Sequence, residues 1–161
     1  MKKFKSHTLS EYLDVLSRRT PIPGGGSAAA LVAATGAALV SMVADYSRNR
    51  TRSKGVEKKI RSVRRRSERI RKRLLDLVDL DAQGYLKVVK ARGASTAVKK
   101  KAMREAAKAP REVCQLCYQA IQLVPYLVKN GNPYLISDIK VAAEMLFAGF
   151  NAAHINVEIN S

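Results

Sequence analysis

Ten positions between residues 56 and 88 recur at alternating steps of four and three: Val56, Ile60, Val63, Ser67, Ile70, Leu74, Leu77, Asp81, Gly84 and Val88. A strand repeats every two residues and a helix every 3.6, so this rhythm predicts one long helix with a narrow buried seam. The seam runs into the most basic part of the chain. Residues 48–73 hold fourteen Lys or Arg against Glu57 and Glu68, a local net of +12 out of +17 for all 161 residues. The outer face of the helix is therefore cationic. A charge of this sign calls for an anionic partner: nucleic acid, an acidic membrane surface or a polyanionic small molecule. Hydrophobic residues make up 47% of the chain, which excludes a wholly disordered polycation. The length fits one domain over residues 1–161 and is too short for a large enzyme with its own dinucleotide-binding half.

The remaining segments also read as helices. Thr8 and Glu11 fit a capping box, with Leu9, Tyr12, Leu13 and Leu16 on one face of a short helix ending near Arg18 or Arg19. Pro21 and Pro23 stop it, and Gly24, Gly25 and Gly26 are expected to form a loop using backbone angles closed to other residues. Ser27 is the expected N-cap of a second helix over 28–47, built of Ala, Val, Leu and Gly. The small residues around Gly36 let neighbours approach closely, which places this helix at the centre of a bundle. It is nearly long enough to cross a bilayer, but Thr35, Ser41 and Asp45 interrupt it and no membrane association is expected. A break near 93–96 precedes a helix over 98–128 that Pro110 and Pro125 kink or divide. Asn132 and Pro133 then start a last helix over 134–157. No segment alternates as a strand would, so the fold class is all-α, a helical bundle with long antiparallel helices.

Among candidate chemical groups, Asp81 stands out because it occupies the apolar seam. A carboxylate withdrawn from water is costly unless it is paired or hydrogen-bonded, so Asp81 is either functional or bonded to a neighbouring helix. Asp76 and Asp79 are expected to point elsewhere and be solvated. Asp138 lies on a face of the last helix with Leu135, Ala142, Met145 and Gly149, either as a site residue or as a first-turn acid complementing the helix dipole. The loop Gly24 to Ser27 opens a helix and suits either an anion or carbonyl oxygen or simply a tight turn; no Lys follows that would make it a phosphate loop. Cys114 and Cys117 have redox or metal spacing but sit in a helical pattern without a second pair, and His7 and His154 are isolated, so no metal site is expected. The two cysteines offer no disulfide framework and no secretory leader is visible, so a cytoplasmic location is expected.

Three segments together are diagnostic: Pro23-Gly24-Gly25-Gly26-Ser27-Ala28-Ala29-Ala30-Leu31, Leu77-Val78-Asp79-Leu80-Asp81-Ala82-Gln83-Gly84-Tyr85, and Gly131-Asn132-Pro133 leading to Ser137-Asp138. In order and interval they closely resemble the cyclodeaminase/cyclohydrolase family of folate enzymes, and Asn156-Val157-Glu158-Ile159-Asn160 is similar to that family's ending motif. The resemblance implies an all-helical homodimer with a folate cleft lined by the Gly-rich loop. It further implies Asp81 as catalytic general acid/base, Pro23, Gly24, Gly25, Gly26 and Ser27 as substrate-binding residues, and Asp138 in support. The implied activity is methenyltetrahydrofolate cyclohydrolase, preferred because no transferase segment accompanies the domain, with formimidoyltetrahydrofolate cyclodeaminase as the alternative. No cofactor is implied beyond the tetrahydrofolate substrate, whose tail, polyglutamylated or not, suits the cationic face. A basic helical protein that binds nucleic acid without catalysis is the alternative of a different class.

Overall fold

The computed structural model describes residues 3–48 and 53–160. Arg50 and Arg52 of the basic segment lie outside the described residues. The described residues form seven α-helices: α1 Leu9–Leu16, α2 Gly25–Tyr46, α3 Lys54–Lys90, α4 Thr96–Ala106, α5 Lys108–Ile121, α6 Val124–Asn130 and α7 Ile136–Ile159. Two short 3₁₀ turns, Phe4–Ser6 and Pro133–Leu135, precede α1 and α7, and no strand occurs among the described residues.

α2 is the centre of the bundle. Its small side chains leave little hydrophobic asymmetry, and Ala30, Ala33, Ala37, Val40 and Ala44 are fully buried. By length and composition it could cross a membrane, yet much of it is buried inside the bundle, between α3 and α7. Gly36 explains the closeness to α7. A Cβ there would stand 2.9 Å from the Leu146 Cγ and 3.1 Å from the Ala142 carbonyl oxygen. Gly149 returns the arrangement, with Ala33 of α2 against its backbone. Two glycines thus let two helix backbones meet, where larger residues would force them apart by overpacking.

α3 runs antiparallel to α2, since Gly26 at the start of α2 meets Asp81 late in α3, while Ser41 faces Glu68. The predicted seam is observed: Ile60, Val63, Ser67, Ile70, Leu74 and Leu77 are buried. α7 is likewise antiparallel to α2, and its buried stripe is Ile139, Ala142, Leu146, Gly149 and Ala153. Of this stripe, Ala142 and Gly149 belong to the face anticipated from sequence beside Asp138. The opposite side of α7 carries exposed Val141, Ile155 and Ile159.

The caps correct several boundaries. Thr8 forms the expected box with Glu11, but α1 ends at Leu16, and Leu9 and Leu13 are exposed rather than part of the core face. α2 starts at Gly25 with Gly24 as cap, so Ser27 lies inside its first turn. None of the glycines adopts a positive φ, so the Gly-rich stretch does not use backbone angles closed to other residues. The 98–128 segment is divided into α4, α5 and α6, with each break just ahead of a proline that occupies the first turn of the next helix. Asn132 caps the 3₁₀ turn at Pro133, accepting from Tyr134 N–H at 3.2 Å, before α7 begins.

Candidate active site

Where the first turn of α2 crosses α3, the chain leaves a cleft of about 270 Å³. One wall is 20–26, running through the cis Ile22–Pro23 peptide into Gly24, Gly25 and Gly26. Asp81, Ala82 and Tyr85 of α3 form a second wall, and Asn156 and Asn160 at the end of α7 a third. Ala106 at the end of α4 closes the remaining side.

Gly26 decides how Asp81 sits. A Cβ at position 26 would overlap the Asp81 carboxyl group, so only glycine lets the carboxylate lie against the helix opening. The stretch thus supplies missing side chains rather than unusual dihedrals. Asp81 is partly exposed to the cleft and accepts a hydrogen bond from the Ser27 backbone N–H. Burial raises its carboxyl pKa to about 6, and the Ser27 N–H only partly opposes that. A group titrating near 6 is mostly ionised at pH 7 yet readily reprotonated, which suits a general base that must return its proton.

Behind the carboxylate lies a buried polar contact. The Tyr12 hydroxyl and the Ser27 hydroxyl are 3.0 Å apart, and Ser27 is fully buried. Tyr12 is only 4% exposed; burial raises its pKa, the Ser27 contact opposes this, and the nearby Asp81 charge adds to the rise. α1 therefore pins the residue whose N–H meets the catalytic candidate. In the sequence Tyr12 is one residue of an apolar face, and its spacing from Ser27 carries no periodic signal.

The two asparagines were legible as a motif without a role. Asn156 Nδ2 donates to the Ala152 carbonyl at 2.9 Å, and Asn160 Nδ2 donates to the Asn156 carbonyl at 2.7 Å. Tying each NH₂ to its own helix leaves the amide oxygens as acceptors at the cleft.

Pro23, Gly24, Gly25, Gly26, Ser27 and Asp81 are brought together as expected, whereas Asp79 is placed differently and Asp138 lies away from them. Asp79 is not solvated. It is buried at 7% exposure and accepts the Phe4 backbone N–H at 2.6 Å. Asp76 pairs with Lys5 at the surface, 2.5 Å away. Asp138 sits in the first turn of α7, whereas Asn156 reaches the cleft eighteen residues later, about 27 Å along the axis. Within one chain Asp138 is therefore remote from Asp81. Cys117 is buried and its thiol is pushed up to about 12, while Cys114 lies 3.7 Å from the Phe150 carbonyl. Neither has the lowered pKa a reactive thiol needs.

The formiminotransferase-cyclodeaminase family description matches residues 8–161. The methenyltetrahydrofolate cyclohydrolase of Methylorubrum extorquens is 33% identical over 97% of this chain and 80% of its own length. The formimidoyltransferase-cyclodeaminase of Rattus norvegicus is 30% identical over 95% of this chain, which spans only 30% of that larger protein. The crystal structure of a formiminotetrahydrofolate cyclodeaminase from Thermotoga maritima superposes with a TM-score of 0.93 at 32% identity, covering 97% of this chain and 79% of that one. With a cleft built from two of the three segments that carry the sequence resemblance, together with Asn156 and Asn160 of the ending motif, the chain belongs to the formiminotransferase-cyclodeaminase family.

Proposed function

We propose that the protein is a methenyltetrahydrofolate cyclohydrolase, converting 5,10-methenyltetrahydrofolate and water to 10-formyltetrahydrofolate. The observation that carries this is the Asp81 carboxyl, raised to about 6, facing a cleft beside the helix opening at Gly24, Gly25 and Gly26. A cleft of about 270 Å³ suits the pterin end of the substrate, with the glutamate tail extending over the surface.

In this reading the cationic methenyl carbon lies near ionised Asp81, which favours the positive charge. Asp81 takes a proton from water as its oxygen bonds to that carbon, giving a tetrahedral adduct. The adduct hydroxyl then loses its proton, the bond from carbon to the ring nitrogen breaks, and that nitrogen accepts a proton. One proton is released overall, and Asp81 can serve as acceptor first and donor second. The Asn156 and Asn160 oxygens accept from pterin N–H groups, and the first-turn N–H groups of Gly25 and Gly26 face substrate oxygen. We propose no cofactor beyond tetrahydrofolate.

The second reading is a formimidoyltetrahydrofolate cyclodeaminase, favoured by the Thermotoga fold match. Its reaction closes the formimidoyl carbon onto the neighbouring nitrogen and expels ammonia, again through a tetrahedral carbon. Turnover of both substrates by the purified protein separates the two. Methenyltetrahydrofolate consumption above the spontaneous rate supports the first reading, and ammonia release from the formimidoyl substrate supports the second. Neither activity would remove both.

The exposed apolar row of Val141, Ile155 and Ile159 on α7, with Leu9 and Leu13 on α1, supports a homodimer. Sedimentation at micromolar concentration should give twice the 17.7 kDa chain mass, and a monomer there would remove the dimer.

A further inference from the structure

We propose that the outer face of α3 is a second binding surface, distinct from the Asp81 cleft, that takes the phosphate backbone of a nucleic-acid duplex. Lys54, Lys58, Arg61, Arg65, Arg69 and Lys72 follow at steps of four, three, four, four and three residues, and all six are exposed. On a helix these positions fall within about 80° of arc, directly away from the buried seam of Ile60, Val63, Ser67 and Ile70. Their steps are about 4.5–6 Å along the axis, and the row spans about 27 Å. It is a straight line of positive charge at a pitch comparable to successive phosphates.

Two ordinary explanations of a basic helix face fail against the contacts. A stabilising ion-pair network would mate the cations with acids. In this row Arg61 meets Glu57 at 2.9 Å and Lys72 meets Glu68 at 3.8 Å. Lys54, Lys58, Arg65 and Arg69 have no acidic partner within 4.0 Å among the described residues. Like charges one turn apart repel, so the fold tolerates a row in which its own acids meet only two of the six cations. A membrane-surface helix would interleave apolar side chains with the cations. Over the described residues 53–73, every exposed residue is Lys or Arg except Ser53 and Gly55.

The same inventory selects the kind of anion. The row has no aromatic side chain on which an unpaired base could stack, which leaves phosphates as the recognised feature and favours a duplex over a single strand. A surface concavity of about 590 Å³ beside Lys54, Lys58, Arg61 and Arg65 adds room for a backbone to seat. The member of the row nearest the cleft, Lys72, is nine residues from Asp81 and on the opposite side of α3, so a duplex here need not obstruct the folate site.

The test is titration of the full-length protein with a fluorescent 20-base-pair DNA duplex, and with an RNA duplex of the same length, from 50 to 200 mM salt. About five phosphate contacts give a slope of log K against log salt near −4.5 and about a five-hundredfold loss over that range. The double variant R65Q/R69Q keeps helix-compatible residues and should lower the slope magnitude to about 2.7, reducing the loss to about fortyfold. Turnover of a monoglutamyl folate by the same preparation should not change, because Arg65 and Arg69 stand about 24 and 18 Å along α3 from Asp81. Similar binding of DNA and RNA duplexes supports phosphate recognition. The proposal is overturned by no duplex binding at 50 mM salt, by an unchanged slope in the double variant, or by a single strand binding more tightly than the duplex. Because turnover is read separately, failure of this surface leaves the enzyme reading standing, and the reverse also holds.

Discussion

Asp79 and Asp81 stand two residues apart on α3, both drawn away from bulk water, and the protein supports them in different ways. Asp79 lies under the N-terminal 3₁₀ turn, where its Oδ1 accepts the Phe4 N–H at 2.6 Å. Its Oδ2 is also buried, with no hydrogen-bond partner among the described residues. Asp81 lies against Gly26 on the cleft, where the Ser27 N–H does not offset burial and the carboxyl rises to about 6. Burial alone therefore does not mark a catalytic carboxylate. What separates the two is what they face: one ties a distant segment to the helix, and the other opens onto a space a substrate can enter.

The largest effect should come from Asp81→Asn, which keeps size and the acceptor for Ser27 N–H but cannot exchange a proton. Turnover of whichever folate substrate proves active should fall by about 10²–10⁴, with the helical circular dichroism unchanged. Retained turnover would move the catalytic role away from Asp81. The wild-type kcat/KM should also fall about tenfold per pH unit below roughly pH 6, as the carboxyl gains its proton. A flat profile between pH 5 and 7 would contradict ionised Asp81 as the base. Asp79→Ala inverts the pattern: loss of a charged acceptor for a buried N–H should cost about 2–3 kcal/mol in urea unfolding, with turnover per folded molecule little changed.

The same pair shows what sequence periodicity reveals and where it stops. α3 and the anomaly of Asp81 were legible because seven of the ten seam positions are ordinary apolar residues, and a carboxylate among them has no periodic excuse. Asp79 was misread as solvated because its partner is the backbone of Phe4, seventy-five residues earlier, and a backbone donor leaves no trace in composition. Ser27 looked like an N-cap because serine favours that position, yet α2 starts two residues sooner at Gly25 and the hydroxyl turns inward to Tyr12. Asp138 matches the family resemblance in order and interval, but α7 carries it to the far end of the bundle within one chain. Local rules found the elements; contacts between distant segments set the roles.

Stability should also separate the two acids. The folded-state carboxyl of Asp81 is raised from 3.8 to about 6, so between roughly pH 4 and 6 the folded protein holds more protons than the unfolded chain. The contribution of this group to stability is therefore greatest below pH 4 and declines as pH rises through 6. At pH 7.5 the ionised group costs up to about 2–3 kcal/mol. Asp81→Asn should be more stable than wild type at pH 7.5 and nearly equal to it at pH 4, measured by urea unfolding at both. A variant less stable at pH 7.5 would place Asp81 with Asp79 as a structural acid.

The smallest effect, and the sharpest probe of how the cleft is held, is Tyr12→Phe. The ring still fills its buried position, so packing is kept and only the hydroxyl contact with Ser27 is lost. The Ser27 hydroxyl is fully buried, and its unmet hydrogen bond should cost about 1 kcal/mol of stability. If Tyr12 only braces α1 against α2, kcat/KM at saturating pH and its midpoint near 6 should both stay put. If Tyr12 fixes the first turn whose N–H holds Asp81, the midpoint should shift upward, because a looser Ser27 N–H favours the ionised carboxylate less. The pH profile thus distinguishes a brace from a positioning residue where a stability measurement alone would not.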